Sequence, residues 1–263
     1  MPRSRSASVP RTPASSSSSS SRRSVSATSR PCSTRTSSTD TTPRRRARAR
    51  RRGPHHPSGR RTVALPRRAW SILREDLQAA RDRDPAARTR LEVALAYPGL
   101  HALWVHRVSH RMWRNPLLRL PARLISQISR SITGVEIHPG AQLGRRVFID
   151  HGMGIVIGQT AVVGDDVLLF HNVTLGGRTM THGKRHPTLG DRVVVGAGAK
   201  ILGPVWIGDD AQIGANAVVV KDVPAGAVAV GVPAKIRLAT PAEVAERQRR
   251  SVEDPSLLIE YMI

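Results

Sequence analysis

The chain has 263 residues and a formal net charge of +23, a length that suits one or two domains. Its single cysteine, Cys32, excludes a disulfide framework and fits a reducing compartment. No apolar run approaches the 18 residues of a membrane span, and there is no apolar core of a secretory signal, so the expected location is the cytoplasm.

Residues 1–62 hold 16 arginines, 17 serines, no lysine and one acid, Asp40, while Met1, Val9 and Val25 are the only large apolar side chains. About +15 of the net charge therefore lies in this tail. So little apolar surface cannot offset the entropy of ordering the chain, and a disordered tail is expected. Three readings of it stay open. The run Arg44–Arg52 (RRRARARRR) could contact phosphates, although nucleic acid is not the favoured partner. The Ser/Arg-rich, acid-poor composition also suits organelle targeting. Alternatively, translation starts nearer Val63 and the tail is inert.

Residues 63–133 read as a helical N-terminal domain. Trp70, Leu73, Leu77 and Ala80 recur at helical spacing, and Asp84–Pro85 ends that helix because a residue before proline leaves the helical region. A second helix is predicted over about 88–97, stopped by Pro98–Gly99. A third covers about 101–113, with Trp104, Val108 and Met112 on one face. The fourth, about 116–132, has Pro116 in its first turn and an apolar stripe of Leu117, Leu120, Leu124, Ile128 and Ile132.

From residue 134 the period becomes six. Aliphatics fall at Ile137, Leu143, Ile149, Ile155, Ala161, Val167 and Val173, then at Leu189, Val195, Ile201, Ile207, Ile213 and Val219. This reads as one register with a single long step between Val173 and Leu189. Hexad self-similarity predicts a parallel β-helix over 134–236, three hexads to a triangular coil. The ten surplus residues form a loop at 176–187, rich in Gly, Arg, Lys and His. Residues 237–263 read as a polar C-terminal tail ending in Ser256–Ile263 (SLLIEYMI).

Several segments carry a resemblance. They are RDPAA (83–87), GLHALWVHRVSH (99–110), VEIHPGA (135–141), FIDHGMGIVIGQTA (148–161), VTLGG (173–177), KRHPTLGD (184–191), VGAGAKILG (195–203) and GVPAK (231–235). In this order and spacing the chain resembles the serine O-acetyltransferases among the left-handed β-helix acyltransferases. The resemblance implies transfer of acetyl from acetyl-CoA to the hydroxyl of L-serine, giving O-acetylserine for cysteine synthesis. It implies His151 as the base and Glu136 as its orienting carboxylate, where the family usually has aspartate. Asp84 and Asp150 would hold the serine ammonium, with Arg185 and His186 on its carboxylate side. Gly177 and Ala197 would lie along the pantetheine arm, with Lys200 and Lys235 near the phosphates. Gln159 stands where the family usually has glutamate.

The chemistry suits these residue types. A hydroxyl nucleophile needs a base that titrates near neutral pH, and histidine is the natural one. Guanidinium pairs with a carboxylate in two parallel hydrogen bonds. An O-acetyltransferase for a sugar or antibiotic hydroxyl is the alternative, but a neutral acceptor needs no amino-acid clamp. His171, His182 and His186 invite comparison with the zinc site of β-helical carbonic anhydrases; their context favours the transferase, and no metal is expected. The resemblance further implies a homotrimer, or a hexamer of two trimers. It also implies inhibition by cysteine at the serine site and docking of the terminal Ile263 into O-acetylserine sulfhydrylase.

Overall fold

The computed structural model describes residues 65–253, with side chains over 70–250. The Arg/Ser-rich segment 1–62 and the terminal Ser256–Ile263, together with the readings placed on them, lie outside the described residues.

Helices α1 (Leu65–Arg83), α2 (Arg90–Ala96), α3 (Pro98–Trp113) and α4 (Arg119–Thr133) come first, with a 3₁₀ turn at Pro116–Leu118. Pro98 and Gly99 do not merely end the second helix. Pro98 occupies the first turn of α3, where its missing N–H is harmless. Gly99 lies inside that helix because any Cβ there would overlap the Ile149 carbonyl. The glycine is thus a point of close approach between α3 and the strands.

Fifteen short strands follow: β1 (Glu136–Ile137), β2 (Gln142–Leu143), β3 (Phe148–Ile149), β4 (Val156–Ile157), β5 (Val162–Val163), β6 (Leu168–Leu169), β7 (Thr174–Gly176), β8 (Thr188–Leu189), β9 (Val194–Val195), β10 (Lys200–Leu202), β11 (Trp206–Ile207), β12 (Gln212–Ile213), β13 (Val218–Val219), β14 (Val228–Val230) and β15 (Lys235–Arg237). They stack as three sheets around one axis, a parallel β-helix. The first face is β1-β4-β7-β10-β13, the second β2-β5-β8-β11, and the third β3-β6-β9-β12-β14-β15. Every pair is parallel except the last, where β15 folds back antiparallel on β14.

The inward side chains form one continuous aliphatic core, from Val135 and Ile137 at the base to Ala227 and Ala229 at the top. Each hexad sends two residues inward, two positions apart: Val147 with Ile149, Ile155 with Ile157, Val167 with Leu169. This corrects the single register read from the sequence. Phe148 pairs with Leu168 and Glu136 with Val156, twenty residues on, whereas Val156 pairs with Thr174 eighteen on. Two surplus residues therefore sit between β3 and β4. Another eight lie in the loop before β8, where Val162 pairs with Thr188. The sequence frame jumps from the second inward position to the first at Ile155 and returns at Leu189. Both positions are aliphatic, so periodicity alone did not register the slip.

The third face is covered. Phe148, Leu168 and Val194 pack with Ala80, Val93 and Leu100 of α1, α2 and α3. Above them α5 (Pro241–Glu253) leans on the last coil, with Val244 against Gly226 and Arg247 donating to the Gly226 carbonyl. The segment expected to be a polar tail is thus partly helical. Its start is a capping box: Thr240 Oγ1 accepts from Glu243 N and Glu243 Oε2 accepts from Thr240 N.

Candidate active site

The two surplus residues between β3 and β4 create a protruding turn, Asp150–Gly154, on the edge between the third and first faces. His151 (φ 58°), Gly152 (φ 72°) and Gly154 (φ 77°) are all left-handed. A left-handed residue at Gly154 continues the coil's own corner, which recurs at Asn172, Gly198 and Asn216. His151 and Gly152 are additions to that pattern. The result is an imidazole whose side chain is 74% exposed on an otherwise packed edge. Gly152 is held against Val135, Ile149 and Gly99, so the turn is anchored although its histidine is free.

Around this turn the elements bring acidic groups together. Asp84 ends α1; its Oδ1 accepts from Ala86 N (2.8 Å) and its Oδ2 accepts from the Tyr97 hydroxyl (2.5 Å). Asp150 Oδ2 lies 3.8 Å from His151 Nε2. Burial raises the Asp150 carboxyl above the usual range and the charge of Asp84 raises it further, while His151 opposes the shift. Burial, the bond to Asp84 and nearby carboxylates including Asp150 raise the Tyr97 phenol. Among the described residues neither aspartate has a lysine or arginine partner. Two partly buried carboxylates facing one space are a ready receptor for an ammonium.

The ring of His171, one coil higher on the same edge, stands edge-on to His151 with centroids 5.9 Å apart. Neither Tyr97 nor His171 was expected from the sequence as part of this group. Tyr97 read only as the end of a helix, and His171 only as a candidate metal ligand. Their placement depends on which coil stacks on which, information that no local signal carries.

A second group forms on the opposite edge of the first face. His186 is buried and its Nδ1 accepts from Thr160 N (3.2 Å), with Thr160 Oγ1 2.9 Å away. Thr160 Oγ1 in turn accepts from the backbone N–H of Arg185 and of His186. Gly158 is required here, since a Cβ would overlap the His186 ring. Burial and the charges of Arg185 and Lys184 hold His186 below the usual histidine range. His138, edge-on to Trp113, is pushed down to about 4, by burial first and then by Arg123, His186 and Arg185. Beside the His186 imidazole stand two cations, the Lys184 ammonium, which donates to the Thr160 and Pro187 carbonyls, and the Arg185 guanidinium. The Arg185 side chain packs over Gly177 and forms no ion pair among the described residues.

The remaining candidates are distributed between these edges. Glu136 does not pair with His151; its carboxylate is held by Arg130 (3.3 Å) at the end of α4. The carboxylate nearest His151 is Asp150. Ala197 lies on the His151 edge, one coil above His171, and its carbonyl accepts from Asn216 N. Lys200 leans toward that edge, its ammonium bound to the Asn172 carbonyl and side chain, and burial lowers its pKa. Lys235 is exposed on β15 at the top of the third face. Gln159 packs near Gly140 and Trp113, away from the His151 turn. His171 and His186 are on different edges, and among the described residues no three His, Cys, Asp or Glu side chains converge on a metal-sized space. No described helix is long and apolar enough to cross a membrane.

Each face is one hexad wide, about 20 Å of extended chain. A small amino acid cannot touch Asp84, Asp150 and His151 on one edge and Arg185 and His186 on the other edge of the same copy.

The chain is similar to known proteins in sequence and fold. The bacterial transferase hexapeptide (six repeats) family matches residues 186–221. A serine acetyltransferase of Mycobacterium tuberculosis is 61% identical over 166 residues, which cover 63% of this chain and 72% of that protein. The crystal structure of Neisseria gonorrhoeae serine acetyltransferase in complex with serine aligns with a TM-score of 0.63 at 40% identity, covering 65% of this chain and 70% of that one. A serine acetyltransferase in complex with CoA aligns with a TM-score of 0.61 at 40% identity, over 64% and 70%.

Proposed function

The chain belongs to the serine acetyltransferase family, and we propose that its two edge clusters, meeting between copies, transfer acetyl from acetyl-CoA to the hydroxyl of L-serine. The observation that carries this reading is the separation of an ammonium receptor with an exposed imidazole on one edge from a guanidinium on the other. Serine carries both an ammonium and a carboxylate, so a homotrimer that places one copy's His151 edge against the next copy's Arg185 edge completes the site. A neutral sugar or antibiotic hydroxyl would leave Asp84 and Asp150 facing each other without a cation, an arrangement that costs free energy.

Asp84, positioned by Tyr97, and Asp150 hold the ammonium in this reading. Arg185 and His186 of the neighbouring copy hold the carboxylate. His151 Nε2 accepts the hydroxyl proton as the serine oxygen attacks the thioester carbonyl. As the C–S bond breaks, the imidazolium returns that proton to the CoA sulfur. The developing imidazolium is stabilised by Asp150, the nearby carboxylate. Glu136 would join it only by leaving Arg130. Gly177 and Ala197 leave room for the pantetheine arm, with Lys200 and Lys235 toward the phosphates. The product, O-acetylserine, feeds cysteine synthesis. Docking of Ile263 into O-acetylserine sulfhydrylase and a cytoplasmic site of action complete the proposal.

Complementation tests it. His151→Ala and Arg185→Ala chains are each expected to lack serine-dependent acetyl-CoA consumption. Co-refolding the two should restore a fraction of wild-type activity, because some boundaries then carry both intact edges. No recovery in mixed oligomers, or equal turnover of homoserine and a sugar, would reject the reading.

A further inference from the structure

His151 protrudes from its left-handed turn, and among the described residues nothing hydrogen-bonds to either of its ring nitrogens. An exposed side chain without such bonds moves between rotamers, so the base is not held at any one position. Neither nearby carboxylate supplies the missing restraint. Glu136 is held by Arg130 at 3.3 Å. Asp150 Oδ2 lies 3.8 Å from Nε2, beyond hydrogen-bond length, and it faces the nitrogen that must stay open to the hydroxyl. The restraint at hand is a ring. His171 stands 5.9 Å from His151 between centroids at an interplanar angle of 67°, within the range of an edge-on aromatic contact.

We propose that His171 is a positioning residue of the transfer: its ring, one coil above, holds the His151 ring edge-on in the rotamer that aims the base at the acceptor hydroxyl. The backbone fixes His171 for this task. The His171 carbonyl accepts from Gly198 N (2.9 Å) on the next coil, and Asn172 N donates to the Met153 carbonyl (2.8 Å) inside the protruding turn. Asn172 is left-handed, and the Lys200 ammonium donates to its carbonyl and side chain. The two histidines therefore sit on adjoining corners that the backbone ties together. Electrostatics agree with the placement, since His171 as well as His151 favours the ionised form of Asp150. One carboxylate is thus shared by both rings, and His171 borders the imidazolium that forms during transfer. This inference rests on the proposed role of His151 as base and adds the group that aims it. His171 acts through His151 and touches neither substrate.

The test uses the full chain with serine and acetyl-CoA. His171→Ala should lower kcat about three- to tenfold, the loss expected from releasing one aromatic contact, while both KM values stay within about twofold of wild type. His171→Phe keeps an aromatic ring at the corner and should return kcat to within about twofold of wild type. Residue 171 is exposed, so far-UV circular dichroism and the urea midpoint should be alike in all three proteins. An unchanged kcat in His171→Ala overturns the proposal. A His171→Phe chain as slow as His171→Ala also overturns it, because charge or hydrogen bonding of the imidazole would then matter in place of the ring contact. A KM for acetyl-CoA raised about tenfold at unchanged kcat does the same, making His171 a contact of the pantetheine arm. His151→Asn separates this result from the reading beneath it. An inactive His151→Asn with a fully active His171→Ala leaves the base in place and removes only its positioning partner, whereas an active His151→Asn removes both.

Discussion

The upper coils of the prism and the lower ones are built from the same hexad but behave differently. Between β8 and β13 each strand pairs eighteen residues on, with nothing inserted: Thr188 with Trp206, Val194 with Gln212, Lys200 with Val218. At one corner a ladder of aspartates satisfies backbone N–H groups through lower and upper coils alike, Asp165 accepting from Arg145 N, Asp191 from Asp165 N, and Asp209 from Asp191 N. The lower coils carry both interruptions, and each candidate cluster sits at one of them. The repeat supplies a rigid frame, and departures from the repeat supply exposed, ionisable groups aimed at one another.

The largest expected effect comes from the two-residue insert. His151→Ala should lower turnover at least about 100-fold, as loss of a general base does. Alanine is strained at φ 58°, so His151→Asn, which tolerates the left-handed region, is the better control. If Asn retains near-wild-type turnover, the exposed imidazole is not the base and the contrast between frame and insert loses its functional meaning.

A matched pair of glycine substitutions sharpens the contrast. Gly158→Ala drives a methyl into the His186 ring, whereas Gly190→Ala drives one against the Asp209 carboxylate and backbone. Both crowd a packed coil. In the regular coil the methyl meets the Asp209 carboxylate, held by Asp191 N, with Asp209 backbone behind it, so Gly190→Ala should cost about 1–3 kcal/mol of stability, read from urea unfolding. At the interrupted coil the ring can be displaced into the 176–187 loop. Gly158→Ala should therefore raise the KM for serine about tenfold while leaving that for acetyl-CoA and the stability nearly unchanged. Equal stability losses would mean that the two coils are mechanically alike.

Much of this was legible in the sequence, for a physical reason. A coil that buries two aliphatics per hexad must show period six, so the prism and its loop were readable, as were the helix ending at Asp84–Pro85 and the exceptional Asp150–His151 pair. The site residues came from motif resemblance, and their grouping onto two edges did not. That grouping depends on coil register, and the two-residue slip at Ile155 is silent because Ile149, Ile155 and Ile157 are all apolar. The α4 stripe was legible as an apolar stripe, but its outward direction was not, because periodicity marks an apolar face without saying what it faces. Helix α5 was missed although Thr240 and Glu243 carry a capping-box signature.

The smallest expected effect separates the two halves by their response to acid. His106, on α3 against the base of the prism, is pushed down to about 3, mainly by burial, with His110, Arg107 and His138 adding repulsion and the Ala141 backbone opposing it. In the unfolded chain the same imidazole titrates near 6.5. Between those values the unfolded state binds the extra proton, so stability is intact above about 6.5 and declines as pH falls toward 3, by about 1 kcal/mol per pH unit. From β8 onward the chain holds no histidine, whereas His138 and His186 of the lower, interrupted coils, both held low, add to the same slope. The Arg192–Asp210 pair of the upper coils lowers the Asp210 carboxyl, so its contribution persists above the ordinary carboxylate range and is lost only as pH falls below it. Urea unfolding at pH 7 and pH 5 should show the dependence, and His106→Gln should lessen the slope between those values, leaving the share of His138 and His186, while Asp210→Asn leaves it unaltered. An unchanged slope in His106→Gln would mean that acid sensitivity is not localised at the helical base, and that the halves differ in chemistry alone.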